Sequence, residues 1–130
     1  MASVEGKVAG VKPNIAFFEQ YGLPGLTAFS ELCAVLRAKG VPLIIDGKRG
    51  DIGATATAYS NAFLGNVTVR GTSMCAFEGD ALTINPFLGF DTLEPFVKDC
   101  VAREKGVFVL VQTSNPGAKD LQGLSAEGRT

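Results

Sequence analysis

Leu43-Ile44-Ile45-Asp46-Gly47-Lys48-Arg49-Gly50-Asp51-Ile52 decides how this chain is read. An apolar run, Val41 to Ile45, passes without a break into Asp46 and Lys48. In an extended chain alternate side chains share a face, so Asp46 and Lys48 project from one side of the strand's end, and Asp51 follows in the loop. A buried, unpaired ion costs several kcal/mol, so alternating acid and base is the arrangement that survives at such a place. Lys12, at the end of the preceding apolar run, adds a fourth charge. On spacing alone the same residues also suit a solvated surface turn, whose ion pair contributes under about 1 kcal/mol. The stretch is not a nucleotide-binding loop, because the GxxxxGK[ST] spacing is missing, and Arg49-Gly50-Asp51 has no adhesive meaning without a secretory signal.

Four apolar runs read as strands: Lys7 to Val11, Val41 to Ile45, Ala81 to Ile84 and Val107 to Val111. The last three are rich in Val, Ile and Leu without strict alternation, as in strands covered on both faces. Helical spacing separates them. Leu26, Phe29, Leu32, Cys33 and Leu36 lie on one face of a helix over Leu26 to Ala38, with Gly40 as its stop. Ala54 to Leu64 is a second helix, with Tyr59 and Phe63 in its core, and Asp91 caps a third that runs through Phe96 and Cys100 to Gly106. Phe17, Phe18 and Tyr21 read as packing residues. The alternation predicts an α/β fold, either an open doubly wound sheet or part of a (β/α)8 barrel. The barrel is favoured, because no GxGxxG fingerprint follows a strand and polar residues gather at strand C-terminal ends. A barrel takes about 250 residues, so 130 residues amount to about half of one.

Composition narrows the function. With 12 Lys+Arg against 13 Asp+Glu the net charge is -1, and no basic block favours nucleic acid or an anionic membrane. No apolar run approaches the roughly 20 residues of a membrane span, and MASVEGKVAG lacks a signal peptide's hydrophobic stretch, so the expected location is the cytoplasm. Three widely spaced cysteines, Cys33, Cys75 and Cys100, read as reduced thiols in the core. Histidine is absent, so proton transfer falls to Lys, Asp, Glu, Tyr or Cys, and neither a His-based metal site nor a Ser-His-Asp triad is available within the chain.

Asp46-Gly47-Lys48-Arg49-Gly50-Asp51-Ile52 closely resembles the Asp-x-Lys-x-x-Asp-Ile signature of the orotidine 5'-phosphate decarboxylases. VKPNIAFFEQYG (11–22), DIGATATAYSNAFLG (51–65), NPFLGFDTLEPF (85–96) and TSNPGAKDLQ (113–122) resemble the long-sequence bacterial type of that family. The resemblance implies a (β/α)8 barrel of which residues 1–130 form a single partial domain. That part holds about four consecutive βα units, roughly strands 2 to 5, without the first strand and strands 6 to 8. It implies decarboxylation of orotidine 5'-phosphate to uridine 5'-phosphate in pyrimidine biosynthesis, with no metal and no organic cofactor.

By motif match, Lys12, Asp46, Lys48 and Asp51 resemble the family's catalytic Lys-Asp-Lys-Asp array, with Lys48 as proton donor. Asp51, Ile52 and Thr55 resemble the segment that enters the partner's site in a homodimer, and Ser114 resembles the residue that meets the pyrimidine edge. Asn85-Pro86-Phe87 suits either a pocket floor or a plain turn. The isolated chain is expected to be poorly active and to associate through open strand edges. Two other readings stay open: a non-catalytic truncated subunit that pairs with a full-length one, and a related Mg2+-dependent sugar-phosphate decarboxylase.

Overall fold

The apolar stripe of the first long helix finds its partner in a parallel sheet. In the computed structural model, which describes residues 6–125, a short helix α1 (Ala16–Glu19) leads into α2 (Gly22–Ala38). Strand β1 (Ile44–Arg49) and helix α3 (Gly53–Phe63) follow, then a hairpin of β2 (Val67–Val69) and β3 (Thr72–Met74). Then come β4 (Ala81–Ile84), α4 (Glu94–Arg103) and β5 (Gly106–Val109), and a 3-10 helix (Pro116–Asp120) is the last element of the described part. β1, β4 and β5 form one parallel sheet in that order, with α3 and α4 in the crossovers. The arrangement is the α/β one expected, a partial (β/α)8 barrel.

Burial follows position in the sheet. Every residue of the central strand β4 is buried, whereas Phe108 and Val109 of the outer strand β5 are exposed. Phe29, Cys33 and Leu36 of α2 pack with Leu43, Ile45, Leu82, Ile84, Phe63 and Phe96. Each large apolar side chain fully withdrawn from water there supplies about 1.5–3 kcal/mol. Phe77 joins the two helices on this side, edge-on to Phe29 at 5.0 Å and stacked on Phe63 at 5.2 Å. Between α3 and α4 the buried hydroxyl of Ser60 donates to Asp99 Oδ2 at 2.5 Å.

Helix α2 ends as expected. Gly40 takes φ +62°, its N–H donates to the Arg37 carbonyl, and the Val41 N–H donates to that of Leu36. This pair of bonds satisfies carbonyls that the helix leaves open.

Five expectations are corrected. Lys7 to Val11 is no strand: only its last residue, Val11, bridges to Leu43, and beyond it Asn14 bridges to Asp46, while Pro13, which has no N–H, keeps the two bridges from joining into a ladder. α2 begins at Gly22 rather than Leu26. α4 is capped by Leu93, with Asp91 in a preceding 3-10 turn, and it stops at Arg103, where Glu104 rather than a glycine adopts the left-handed conformation. Phe17 and Tyr21 are 68% and 70% exposed, and only Phe18 packs, edge-on to Phe29. Cys33 is fully buried, and burial pushes its thiol up to about 11; Cys100 is half-buried but packs against the core, whereas Cys75 is half-buried outside it. The hairpin was not anticipated. Arg70 and Gly71, at φ +50° and +81°, form its two-residue turn, a backbone usually signalled by Asn-Gly.

Candidate active site

Asp46 and Lys48 lie inside β1, at a break in its pairing. Ile45 pairs with Leu82 and Arg49 with Ile84, so Asp46, Gly47 and Lys48 together stand opposite the single residue Thr83. Extra residues of this kind form a bulge, which re-aims side chains and interrupts the ladder. Lys48 sits there at φ +47°, a conformation that costs a non-glycine residue roughly 1–2 kcal/mol. Bulge and strain coincide with the charged motif.

The bulge brings the two charges into contact. Lys48 Nζ lies 2.5 Å from Asp46 Oδ1, and the same oxygen accepts the Thr83 hydroxyl at 2.9 Å. Asn14 Nδ2 approaches Asp46 Oδ2 at 3.4 Å. The backbone of Asp46 is tied to the segment that carries Lys12: its N–H donates to the Pro13 carbonyl at 3.0 Å, and its carbonyl accepts the Ile15 N–H at 3.2 Å. Burial pushes the Asp46 carboxyl up, but the bonds from Lys48 and Thr83 and the charges of Lys48 and Lys12 outweigh it, so its pKa falls below the ordinary value. Asp46 is therefore a carboxylate at neutral pH.

Lys48 thus contacts Asp46 and the charge of Lys12 acts on the same carboxylate, whereas no hydrogen bond or ion pair joins Asp51 to any of the three. Asp51 Oδ1 accepts the N–H of its neighbour Ile52 at 2.7 Å. Ile52 is 62% exposed, and Thr55, one turn further on in α3, is exposed as well. Ser114 is exposed in the loop after β5. Beside it, Asn85, Pro86 and Phe87 line a cleft of about 360 Å³ together with Leu110, Val111, Thr113, Leu121 and Gln122. The Asn85-Pro86-Phe87 turn thus lines a cleft after β4 and β5, but Asp46 and Lys48 do not line it. Gln122 closes that loop: its Oε1 accepts the Thr113 N–H at 2.7 Å and its Nε2 donates to Thr113 Oγ1 at 2.9 Å.

Two supports of the site went unread in the sequence. Thr83 is one; its signal was a lone polar residue in an otherwise apolar central strand. The other is Arg49, whose guanidinium pairs with Glu19 of α1 and lies 5.5 Å and 5.4 Å from the Tyr59 and Phe63 rings of α3. Arg49 Nε is buried without a hydrogen-bond partner, a position the two ring faces make tolerable for a cation. Among the described residues no group of three or more Cys, Asp or Glu is placed to hold a metal ion. Nor is any helix there long and apolar enough to cross a membrane.

All 130 residues match the Orotidine 5'-phosphate decarboxylase / HUMPS family. The chain belongs to this family. It is 55% identical over 123 residues to the orotidine 5'-phosphate decarboxylase of Deinococcus radiodurans, covering 93% of this chain and 41% of that protein. For the protein of the same name from Caldicellulosiruptor bescii the figures are 49% over 127 residues, 98% and 42%. Among solved structures, Leishmania donovani OMP decarboxylase superposes with a TM-score of 0.78 at 38% identity, covering 96% of this chain and 44% of that one. Leishmania donovani UMP synthase superposes at 0.80 with 37% identity, over 98% of this chain and 26% of that one. The chain therefore spans about two fifths of the curated relatives it matches.

Proposed function

We propose that this chain carries the charge array of an orotidine 5'-phosphate decarboxylase, which releases CO2 from orotidine 5'-phosphate to give uridine 5'-phosphate in pyrimidine biosynthesis. The observation that carries the reading is the Lys48–Asp46 contact at the strained end of β1, in a chain half identical to proteins of that name.

Breaking the bond from ring C6 to its carboxylate leaves the electron pair on C6, in the ring plane, where the π-system cannot delocalise it. The barrier then falls only if a fixed positive charge faces the developing carbanion. Lys48 supplies that charge from Nζ and afterwards delivers the proton to C6. Asp46, beside the departing carboxylate, disfavours the charged ground state, a smaller contribution than that of the lysine. Lys12 and Asp51 keep the array ionised and in place, since opposite charges within about 4–6 Å favour the charged forms. Ser114 meets the pyrimidine edge.

Asp51, Ile52 and Thr55 serve the neighbouring subunit of a homodimer in this reading. The absence of a hydrogen bond or ion pair from Asp51 to Lys48 within the chain and the exposure of Ile52 and Thr55 support it. Relatives at 48–55% identity named as orotidine 5'-phosphate decarboxylases favour this substrate over a sugar phosphate handled with Mg2+. The enzyme is expected to work without metal or organic cofactor, in the cytoplasm.

The test is a decarboxylation assay on the full-length protein that includes residues 1–130, followed by the loss of orotidine 5'-phosphate absorbance with and without a chelator. Turnover unaffected by the chelator is expected. Turnover that the chelator abolishes, or none at all, rejects the proposal.

A further inference from the structure

Thr83 has one hydroxyl, with one donor and two acceptor positions, and all three are used at the bulge. It donates to Asp46 Oδ1 at 2.9 Å and accepts the N–H groups of Gly47 at 3.0 Å and Lys48 at 2.9 Å. Those two amides lie in the stretch where β1 has lost its register with β4, so the hydroxyl takes the place of the missing ladder carbonyl. The residue is 8% exposed and sits between the fully buried Leu82 and Ile84, which hold its backbone still. One side chain thus touches the carboxylate of the array and both backbone amides that set where the Lys48 side chain departs.

We propose that Thr83 is a positioning residue: its hydroxyl holds the left-handed backbone at Lys48 and thereby aims the Lys48 ammonium and the Asp46 carboxylate as a fixed pair. It touches neither substrate nor reacting atoms and acts through Asp46 and Lys48. This rests on the function proposed above for its catalytic consequence, but not for its structural one. A lysine left to its own backbone preference would relax out of φ +47°, and a displacement near 1 Å of a catalytic group costs about a hundredfold in rate.

The test compares Thr83→Val, which keeps the β-branched shape and removes the hydroxyl, with Thr83→Ser, which keeps the hydroxyl. Amide hydrogen exchange is measured in the full-length protein that includes residues 1–130, with the α2 amides as the internal check on folding. In Thr83→Val the Gly47 and Lys48 amides should exchange about tenfold faster while those of α2 are unchanged, and Thr83→Ser should stay within about threefold of wild type. Orotidine 5'-phosphate turnover should follow: kcat falls at least about tenfold in Thr83→Val with little change in KM and returns in Thr83→Ser. The charged groups acting on Asp46 are Lys48 of β1 and Lys12 of the preceding segment, and neither is altered. The acid limb of the rate profile should therefore move to higher pH in Thr83→Val alone, since one bond to the carboxylate is lost. Unchanged exchange at Gly47 and Lys48, or wild-type kcat in Thr83→Val, overturns the proposal. Should the wild-type protein show no turnover, the function proposed above fails, and the exchange comparison by itself decides the role of Thr83.

Discussion

Asp46 is held as an anion by Lys48, Thr83 and Lys12 against the cost of its own burial. Its pKa in the folded protein lies below the unfolded value of about 3.9. The stability this confers is fully present above that unfolded value and is lost as pH falls through the folded one. Asp46→Asn should therefore lower the urea midpoint at pH 6, and the deficit should shrink as the pH is taken down from about 4 towards 2. A deficit of the same size at pH 6 and pH 2.5 would show that the ionised carboxylate is not what the site stabilises. The pairing of Asp46 with Lys48 was legible because charge directly after an apolar run is conspicuous in one dimension. Asn14 and Glu19 were not, since their importance comes from pairings across 32 and 30 residues that no local spacing encodes, and Thr83, paired across 37, shows only as a lone polar residue in an apolar strand.

Elements were legible where a period was long enough to repeat. α2 and α3 announce themselves by apolar residues three and four apart, and β4 by a run that is apolar except for Thr83. Short elements fail that test: α1 has four residues and each hairpin strand three, too few for any period to emerge. The junction of α1 and α2 shows what decides such places instead. A Cβ on Gly25 would lie 1.9 Å from the Phe18 carbonyl oxygen, which α1 fixes directly over the first turns of α2. A Cβ on Gly40 meets nothing within 4 Å and suffers only the backbone penalty of φ +62°. Gly25→Ala should accordingly destabilise by about 3 kcal/mol or more, as overpacking against backbone does. Gly40→Ala should cost only about 1 kcal/mol. Chemical denaturation of the two variants side by side checks the ranking. Equal losses would mean that α1 swings clear of α2, and that its Glu19 is then no fixed partner for Arg49.

The whole molecule is unevenly finished. β4 is covered on all sides, but β5 turns Phe108, Val109 and, just beyond its end, Val111 outward at 55%, 41% and 83% exposure. In the barrel proposed here the next strand pairs along that edge and covers those side chains. Asp51 and Lys48 are unfinished in a different sense, three residues apart in sequence yet joined by no hydrogen bond or ion pair. The homodimer reading completes both with a partner's residues, and that makes it separable from a single-subunit site by genetics alone. In the full-length protein, Lys48→Ala should lower kcat at least about a thousandfold, as loss of a principal charge at the reacting carbon does. Asp51→Asn should also be severely impaired. In an equal, randomly assorted mixture half the dimers pair one variant with the other, and each such dimer holds one site with both Lys48 and Asp51 intact. Activity should then recover to about a quarter of wild type, as follows from two-fold symmetric sites that each draw on both chains. A mixture no more active than its two components would place Asp51 and Lys48 of a working site on the same chain, and the exposed segment Ile52 to Thr55 would then need another role.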